Sequence, residues 1–190
     1  AYTMLKRQIA NEFRRHRYIT EKLEDCDRER FLSIMKEAGD ISQYLDSLAF
    51  LSRILTEIYG KKTIILIDEY DVPLENAFFC GFYNEMTDFI RSLFESALKT
   101  NENLEFAIIT GCLRITKESI FTGLNNPRMV SVLNVGYGEF FGFTQPEVDR
   151  MLKDYGIIGL QDEIKAWYDG YLFGKTEVYN PWSILSYIDD

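Results

Sequence analysis

The sequence predicts an α/β fold built on a parallel sheet, and three observations point to it. The apolar run Thr63-Ile64-Ile65-Leu66-Ile67 ends in Asp68-Glu69-Tyr70-Asp71, which places three acids in four positions. An unbroken β-branched run of this kind reads as a strand buried on both faces, because helices cover a parallel sheet above and below. A helical pattern from about Tyr83 to Lys99 separates it from a second apolar run, Leu104 to Thr110. Strand, helix, strand with a crossover of this length is a parallel βαβ unit. Beyond Gly138 the pattern changes to short helices, which predicts a small helical appendage. The expected division is therefore 1–138, an α/β core with a helical segment at 1–60 and the strands at 61–138, followed by 139–190.

Each element has a local reason. Leu5, Ile9 and Phe13 recur at i, i+4 and define the apolar face of a first helix. Phe31, Ile34, Met35 and Ala38 define a second, expected to stop at Gly39 as its C′ residue. A third starts near Asp40 or Ser42, runs through Tyr44, Leu45, Leu48, Leu55 and Ile58, and stops at Gly60. Tyr70 to Phe79 contains Pro73 and reads as a loop. Met86, Phe89, Ile90, Leu93, Phe94 and Ala97 make the helix at 83–99 amphipathic, and Met129 to Val135 is a third candidate strand. Thr144 caps a helix with Gln145, Pro146 and Glu147 in its first turn. Leu160 to Tyr168 is a further short helix, Glu177 to Tyr179 is extended, and a final helix opens at Pro181.

Composition narrows the function classes. The net charge is -9, and the one basic cluster, Arg14-Arg15-His16-Arg17, is offset by Glu21, Glu24, Asp25 and Asp27. Direct nucleic-acid binding is therefore not expected, since phosphate contacts need clustered Lys and Arg. Cys26, Cys80 and Cys112 are widely spaced, which fits a reducing compartment better than a disulfide framework. His16 is the only histidine, which leaves no material for a His-based metal site or a His-dependent catalytic dyad elsewhere in the chain. No run is long enough to span a bilayer and no signal-peptide pattern opens the chain. A soluble, cytoplasmic protein without membrane contact is the expectation.

The chemistry-bearing residues gather at strand ends, where ligands bind in open α/β sheets. In P-loop ATPases an Asp at such an end holds nucleotide-bound Mg²⁺, and a neighbouring acid orients the attacking water. Asp68 and Glu69 suit those roles; a strand that ends in a solvated acidic turn is the competing reading. Thr110 would sit beside Asp68 if the two strands are neighbours, and could hydrogen-bond the water or the γ-phosphate, though Thr at a strand end is common. Arg114 could stabilise phosphate charge or form a structural ion pair with Asp71. Two further motifs are decoys. Gly170 to Thr176 is one residue short of GxxxxGK[ST] and lacks the strand before and helix after that this motif needs. Glu163-Ile164-Lys165 matches an ExK pattern but lies on a helical face.

Taken together these residues resemble the bacterial and archaeal AAA-ATPase-like family, whose members usually carry a PD-(D/E)XK nuclease-like domain at the C-terminus. The resemblance is carried by ordered blocks: Leu66 to Asp71; Thr110-Gly111 through Arg114-Ile115; Lys117 to Asn126; Phe141 to Thr144 with Glu147-Val148; Trp167 to Tyr171 with Phe173-Gly174; and Tyr179 to Ile184. It implies an AAA-like P-loop NTPase core, here partial, with 139–190 as a helical lid. It implies ATP and Mg²⁺ as ligands, Asp68 on the metal, Glu69 as the catalytic base, and Thr110 and Arg114 in the sensor region. Asp169 and Tyr171 would fix the lid turn at Gly170. A homo-oligomer and a nuclease-like domain in the same parent chain are compatible with it.

One departure is central: the family's glycine-rich Walker A loop belongs upstream of the first helices, and these 190 residues contain none. The expectation is a Walker B, sensor and lid portion of an ATPase domain, active in its full-length parent and inactive alone. Two alternatives stand beside it. One is a non-catalytic P-loop-like module that makes protein contacts through Phe140, Phe141, Phe143, Trp167, Tyr171 and Trp182. The other is a metal-dependent phosphodiesterase using Asp68, Glu69 and Asp71.

Overall fold

The computed structural model describes residues 2–112, 120, 121, 124, 127–157 and 159–189, with Tyr2 and Asp169 described by their backbone alone. It forms two units, Ala1–Pro127 and Arg128–Asp190.

In the first unit, helix α1 (Tyr2–Arg15) turns Ile9 and Phe13 inward and closes on Arg14 and Arg15, cations that suit the negative end of the helix dipole. A 3-10 turn at Arg17–Lys22 buries Ile19. Helix α2 (Asp25–Met35) buries Phe31 and Ile34 but does not reach the expected stop at Gly39. It ends in a Schellman motif, in which the Ala38 N–H donates to Ser33 O at 2.9 Å and the Glu37 N–H to Ile34 O at 3.0 Å. The left-handed position of that motif falls to Glu37, at φ 62, whose carboxylate is paired with Arg14 at 2.9 Å.

The predicted single helix after Gly39 is two helices, α3 (Ile41–Leu45) and α4 (Ser47–Tyr59). They part at Asp46, whose backbone leaves helical geometry and whose carboxylate binds Arg30 of α2. Tertiary pairing overrides a continuous helical pattern there. Gly60 does cap α4 in the left-handed conformation, as expected.

Strand β1 (Thr63–Ile67) and strand β2 (Leu104–Ile109) pair in parallel, with Ile64 opposite Phe106 and Ile67 opposite Ile109. Between them lie α5 (Val72–Cys80) and α6 (Tyr83–Phe94), the latter running into a π-helical turn at Glu95–Lys99. The expected loop at 70–79 is thus a helix. Pro73 sits in its first turn, where the missing N–H costs nothing and the fixed φ suits a helix start. Phe13, Phe31, Ile54, Leu74, Met86, Phe89 and Ile90 belong to one apolar core, against which Ile67 and Ile109 pack.

The sheet corrects a second expectation. Ile65, Ile67, Ala107 and Ile109 are half-buried, whereas Ile64, Leu66, Phe106 and Ile108 are exposed. Among the described residues the parallel pair is therefore covered on one face only.

In the second unit, Met129 to Val135 is not a strand. Asn134 accepts from the Ser131 N–H and hydroxyl at 2.7 and 3.1 Å, while its own N–H donates to Ser131 O at 2.9 Å. That local turn competes successfully with the β-preference of the valines. Helices α7 (Gln145–Asp154), α8 (Gln161–Tyr168) and α9 (Pro181–Asp189) surround an antiparallel hairpin of β3 (Asp169–Phe173) and β4 (Thr176–Tyr179). The expected helical appendage, with its extended piece at Glu177 to Tyr179, thus contains a sheet, of which the sequence pattern revealed only the β4 half. Gly174, at φ 62, makes the tight turn and donates to Val132 O at 2.7 Å; a Cβ there would lie 2.5 Å from Asn134 O. Val148, Leu152, Ile164, Tyr179 and Ile184 form this unit's core. Among the described residues no helix is long and apolar enough to cross a membrane.

Candidate functional site

The parallel register carries the two strand ends to the same level. With Ile67 opposite Ile109, the next residues, Asp68 and Thr110, are neighbours, and the Thr110 hydroxyl donates to the Asp68 carboxylate. Backbone bonds lace the ends together beyond the strands: Thr110 N–H to Ile67 O at 2.9 Å and Tyr70 N–H to Thr110 O at 3.0 Å. The Asp68–Thr110 pair is thus tied to the backbone of both strand ends and is open to solvent.

The four residues after β1 divide by direction. Asp68 and Glu69 face solvent, while Tyr70 and Asp71 are buried. Glu69 achieves the reversal with φ 53, a left-handed conformation that few side chains adopt outside glycine. Such strain costs on the order of 1–3 kcal/mol and persists only where its surroundings over-determine it. Here Tyr70 anchors one side, its ring edge-on to Phe121 at 5.1 Å and 70°. Asp71 anchors the other, as the N-cap residue of α5 whose carbonyl accepts from Leu74 and Glu75 at 3.0 and 2.9 Å. A buried carboxylate at a helix N-terminus also meets the positive end of the helix dipole.

Gly111 makes this packing possible. A Cβ at that position would stand 2.6 Å from the Tyr70 ring and 2.8 Å from Asp71 Oδ1. Sequence reasoning gave Gly111 no role; the signal was its place directly after a strand-ending Thr.

The arrangement bears on each expected site residue. Asp68, Glu69 and Thr110 stand at one sheet end, and Asp71 turns inward away from them. The three-acid metal cluster of the phosphodiesterase reading is not formed, and among the described residues no group of three His, Cys, Asp or Glu side chains could hold a metal ion. One exposed carboxylate does match Mg²⁺ bound chiefly by nucleotide phosphates and water, which takes only one or two protein carboxylates. Arg114 and most of the Lys117 to Asn126 block lie outside the described residues, as does the Asp169 side chain.

Both decoys resolve structurally. Gly170 to Thr176 lies in the β3–β4 hairpin, with no helix following the turn to receive a phosphate. Lys165 on α8 pairs with Glu177 at 3.4 Å. Phe140, Phe141, Trp167, Tyr171 and Trp182 are exposed, whereas Phe143 packs against the core of its unit.

Comparison with known proteins agrees with the family to which the blocks point, over a match that takes in the Leu66 to Asp71 and Thr110 to Ile115 blocks and ends at residue 121. The family model AAA-ATPase_like, described as "Predicted AAA-ATPase", matches residues 2–121. The "Uncharacterized protein in vnfD 5'region" of Azotobacter chroococcum mcd 1 is 35% identical over 128 residues, which are 66% of this chain and 24% of that protein. The chain thus spans about a quarter of this curated relative. No solved structure matches. With its model covering well over half of the residues, the chain belongs to the predicted AAA-ATPase family.

Proposed function

We propose that this chain is the Walker B, sensor and lid portion of an AAA-like P-loop ATPase, which binds and hydrolyses ATP·Mg²⁺ as part of its full gene product. The observation that carries the reading is the Thr110 hydroxyl bonded to Asp68 across adjoining parallel strand ends. Bound Mg²⁺ would supply charge neutralisation at the β- and γ-phosphates. Asp68 is the residue that would hold it, oriented by Thr110. Glu69, thrust outward by its left-handed backbone, is the residue to orient and deprotonate the attacking water. Thr110 is the sensor-type hydroxyl, Arg114 a second sensor-region group, and 139–190 the lid subdomain. Family membership supports nucleotide binding as the general role.

No glycine-rich phosphate loop occurs in the 190 residues, so the 190-residue chain is expected to turn over no ATP. In the full gene product, Glu69→Gln should reduce turnover at least a hundred-fold and leave ATP binding in place, read by a phosphate-release assay beside calorimetry. Parental turnover in that variant would remove Glu69 from the base role. Micromolar ATP binding by the 190-residue chain alone would overturn the half-site reading.

The exposed Trp167 and Trp182 favour a second reading, a non-catalytic module that makes protein contacts. A full gene product that binds no nucleotide would select it.

A further inference from the structure

Thr110 holds both neighbours of Glu69. Its hydroxyl donates to the Asp68 carboxylate, and its carbonyl accepts from the Tyr70 N–H at 3.0 Å. Glu69 is thus the residue spanned between two grips on one partner, and its left-handed backbone, φ 53, is the reversal between them. The Glu69 carbonyl closes the turn by accepting from the Val72 N–H at 3.2 Å. A residue with a Cβ resists this conformation, because the Cβ crowds the following carbonyl. Release of Tyr70 would let residue 69 relax, so the hold on Tyr70 sets where the Glu69 carboxylate points.

Tyr70 is held by its ring as well as by its backbone. The ring is buried and lies against Gly111, so close that a Cβ there would stand 2.6 Å from two of its carbons. Tyr70 therefore grips the Thr110–Gly111 peptide twice, through its N–H at Thr110 and through its ring at Gly111. The ring also meets Phe121 edge-on at 5.1 Å, and Phe121 stacks on Phe94 of α6 at 6.2 Å. Aromatic pairs of this geometry contribute beyond the area they bury, so the core fixes the seat of the ring. Asp68 and Glu69 are exposed and gain no such seat from burial.

We propose that Tyr70 is a positioning residue for hydrolysis: its ring, seated on Gly111 and Phe121, holds Glu69 in the left-handed backbone that aims its carboxylate. This role rests on the reading of Glu69 as the base.

In the full gene product, Tyr70→Leu should lower kcat about ten-fold or more and leave KM for ATP·Mg²⁺ within about two-fold, under conditions where its urea curve shows it folded. Tyr70→Phe, which restores the ring, should recover most of that kcat. Gly111→Ala keeps the ring but displaces it, and should lower kcat in the same way; it serves also if Tyr70→Leu fails to fold. Parental kcat in the folded variants, a loss carried by KM instead, or no recovery with Tyr70→Phe would each overturn the proposal.

A second readout needs no turnover. In the 190-residue chain, Glu69→Gly should raise the folding constant of the first unit roughly three-fold, since glycine adopts this conformation freely. In a Tyr70→Leu or Gly111→Ala background that gain should vanish, because the strain is already released. The same gain in every background, or none in the parental chain, would show that Tyr70 does not hold the strain. A full gene product without turnover would remove the ATPase reading and this role with it. A failed strain comparison beside normal turnover would overturn the role of Tyr70 alone.

Discussion

The two faces of the β1–β2 sheet are made from nearly the same residues and live in opposite environments. Ile67 and Ile109 pack against a core of helices, while Leu66 and Ile108, one residue away in each strand, stand in solvent. Nothing in the chemistry of Ile-Ile-Leu-Ile distinguishes the faces. Only the helices that the chain brings to one side do so. The comparison teaches that a continuous apolar run reports what a strand is suited to bury, not what this polypeptide covers. The covered face is accordingly the one on which stability depends.

Mutations can sharpen or break that contrast. The largest effect belongs to the covered side. Ile54 of α4 is fully buried in the same core as Ile67, and Ile54→Ala should cost about 3 kcal/mol in urea unfolding of the first unit. A loss below about 1 kcal/mol would mean that this core is loosely packed and the two faces differ less than their exposure suggests.

A smaller effect provides a reference in the second unit. The Thr144 N–H and hydroxyl both donate to Glu147 at 2.8 Å, the backbone bond first, and hold its carboxyl below the ordinary value of 4.5. A carboxyl depressed in the folded state stabilises fully above its unfolded value, and that contribution fades as pH falls through the folded one. Stability of the second unit should therefore drop from about pH 4.5 downward, and Glu147→Gln should flatten that limb. At neutral pH the substitution should cost about 0.5 kcal/mol at most, because solvent screens an exposed carboxylate. An unaltered acid limb in the variant would assign the acid sensitivity elsewhere.

The smallest effect is the most telling. Leu66→Ser on the bare face should change the stability of the 190-residue chain by no more than about 0.5 kcal/mol, as for an ordinary surface site. A loss approaching that of Ile54→Ala would show that Leu66 is covered in solution.

Much of the fold was legible because it rests on local pattern. Leu5, Ile9 and Phe13 placed α1, Gly60 its predicted cap on α4, and Thr144 with Glu147 the start of α7. The failures came where another physical effect outweighed local preference. Pro73 suggested a loop but opens α5, since proline is as compatible with a helix start as with a turn. Asp46 divides a helix by pairing with Arg30, a partner distant in sequence. Asn134 folds a valine-rich stretch into a turn, and β3 emerges only because β4 is there to pair with it.

For the candidate site, the sequence by itself determined the chemistry: an apolar strand ending in Asp68 and Glu69, a second ending in Thr110, and the family to which that order belongs. Composition and order are properties of the chain and need no third dimension. The tertiary structure decided which of these groups meet. It joined Thr110 to Asp68 through parallel register, turned Asp71 inward and Glu69 outward at one strained residue, and required a glycine at 111 to let Tyr70 close in. Among the described residues it also left one sheet face bare. Pairing, direction and cover depend on segments far apart in sequence being packed together, so no local pattern could have stated them.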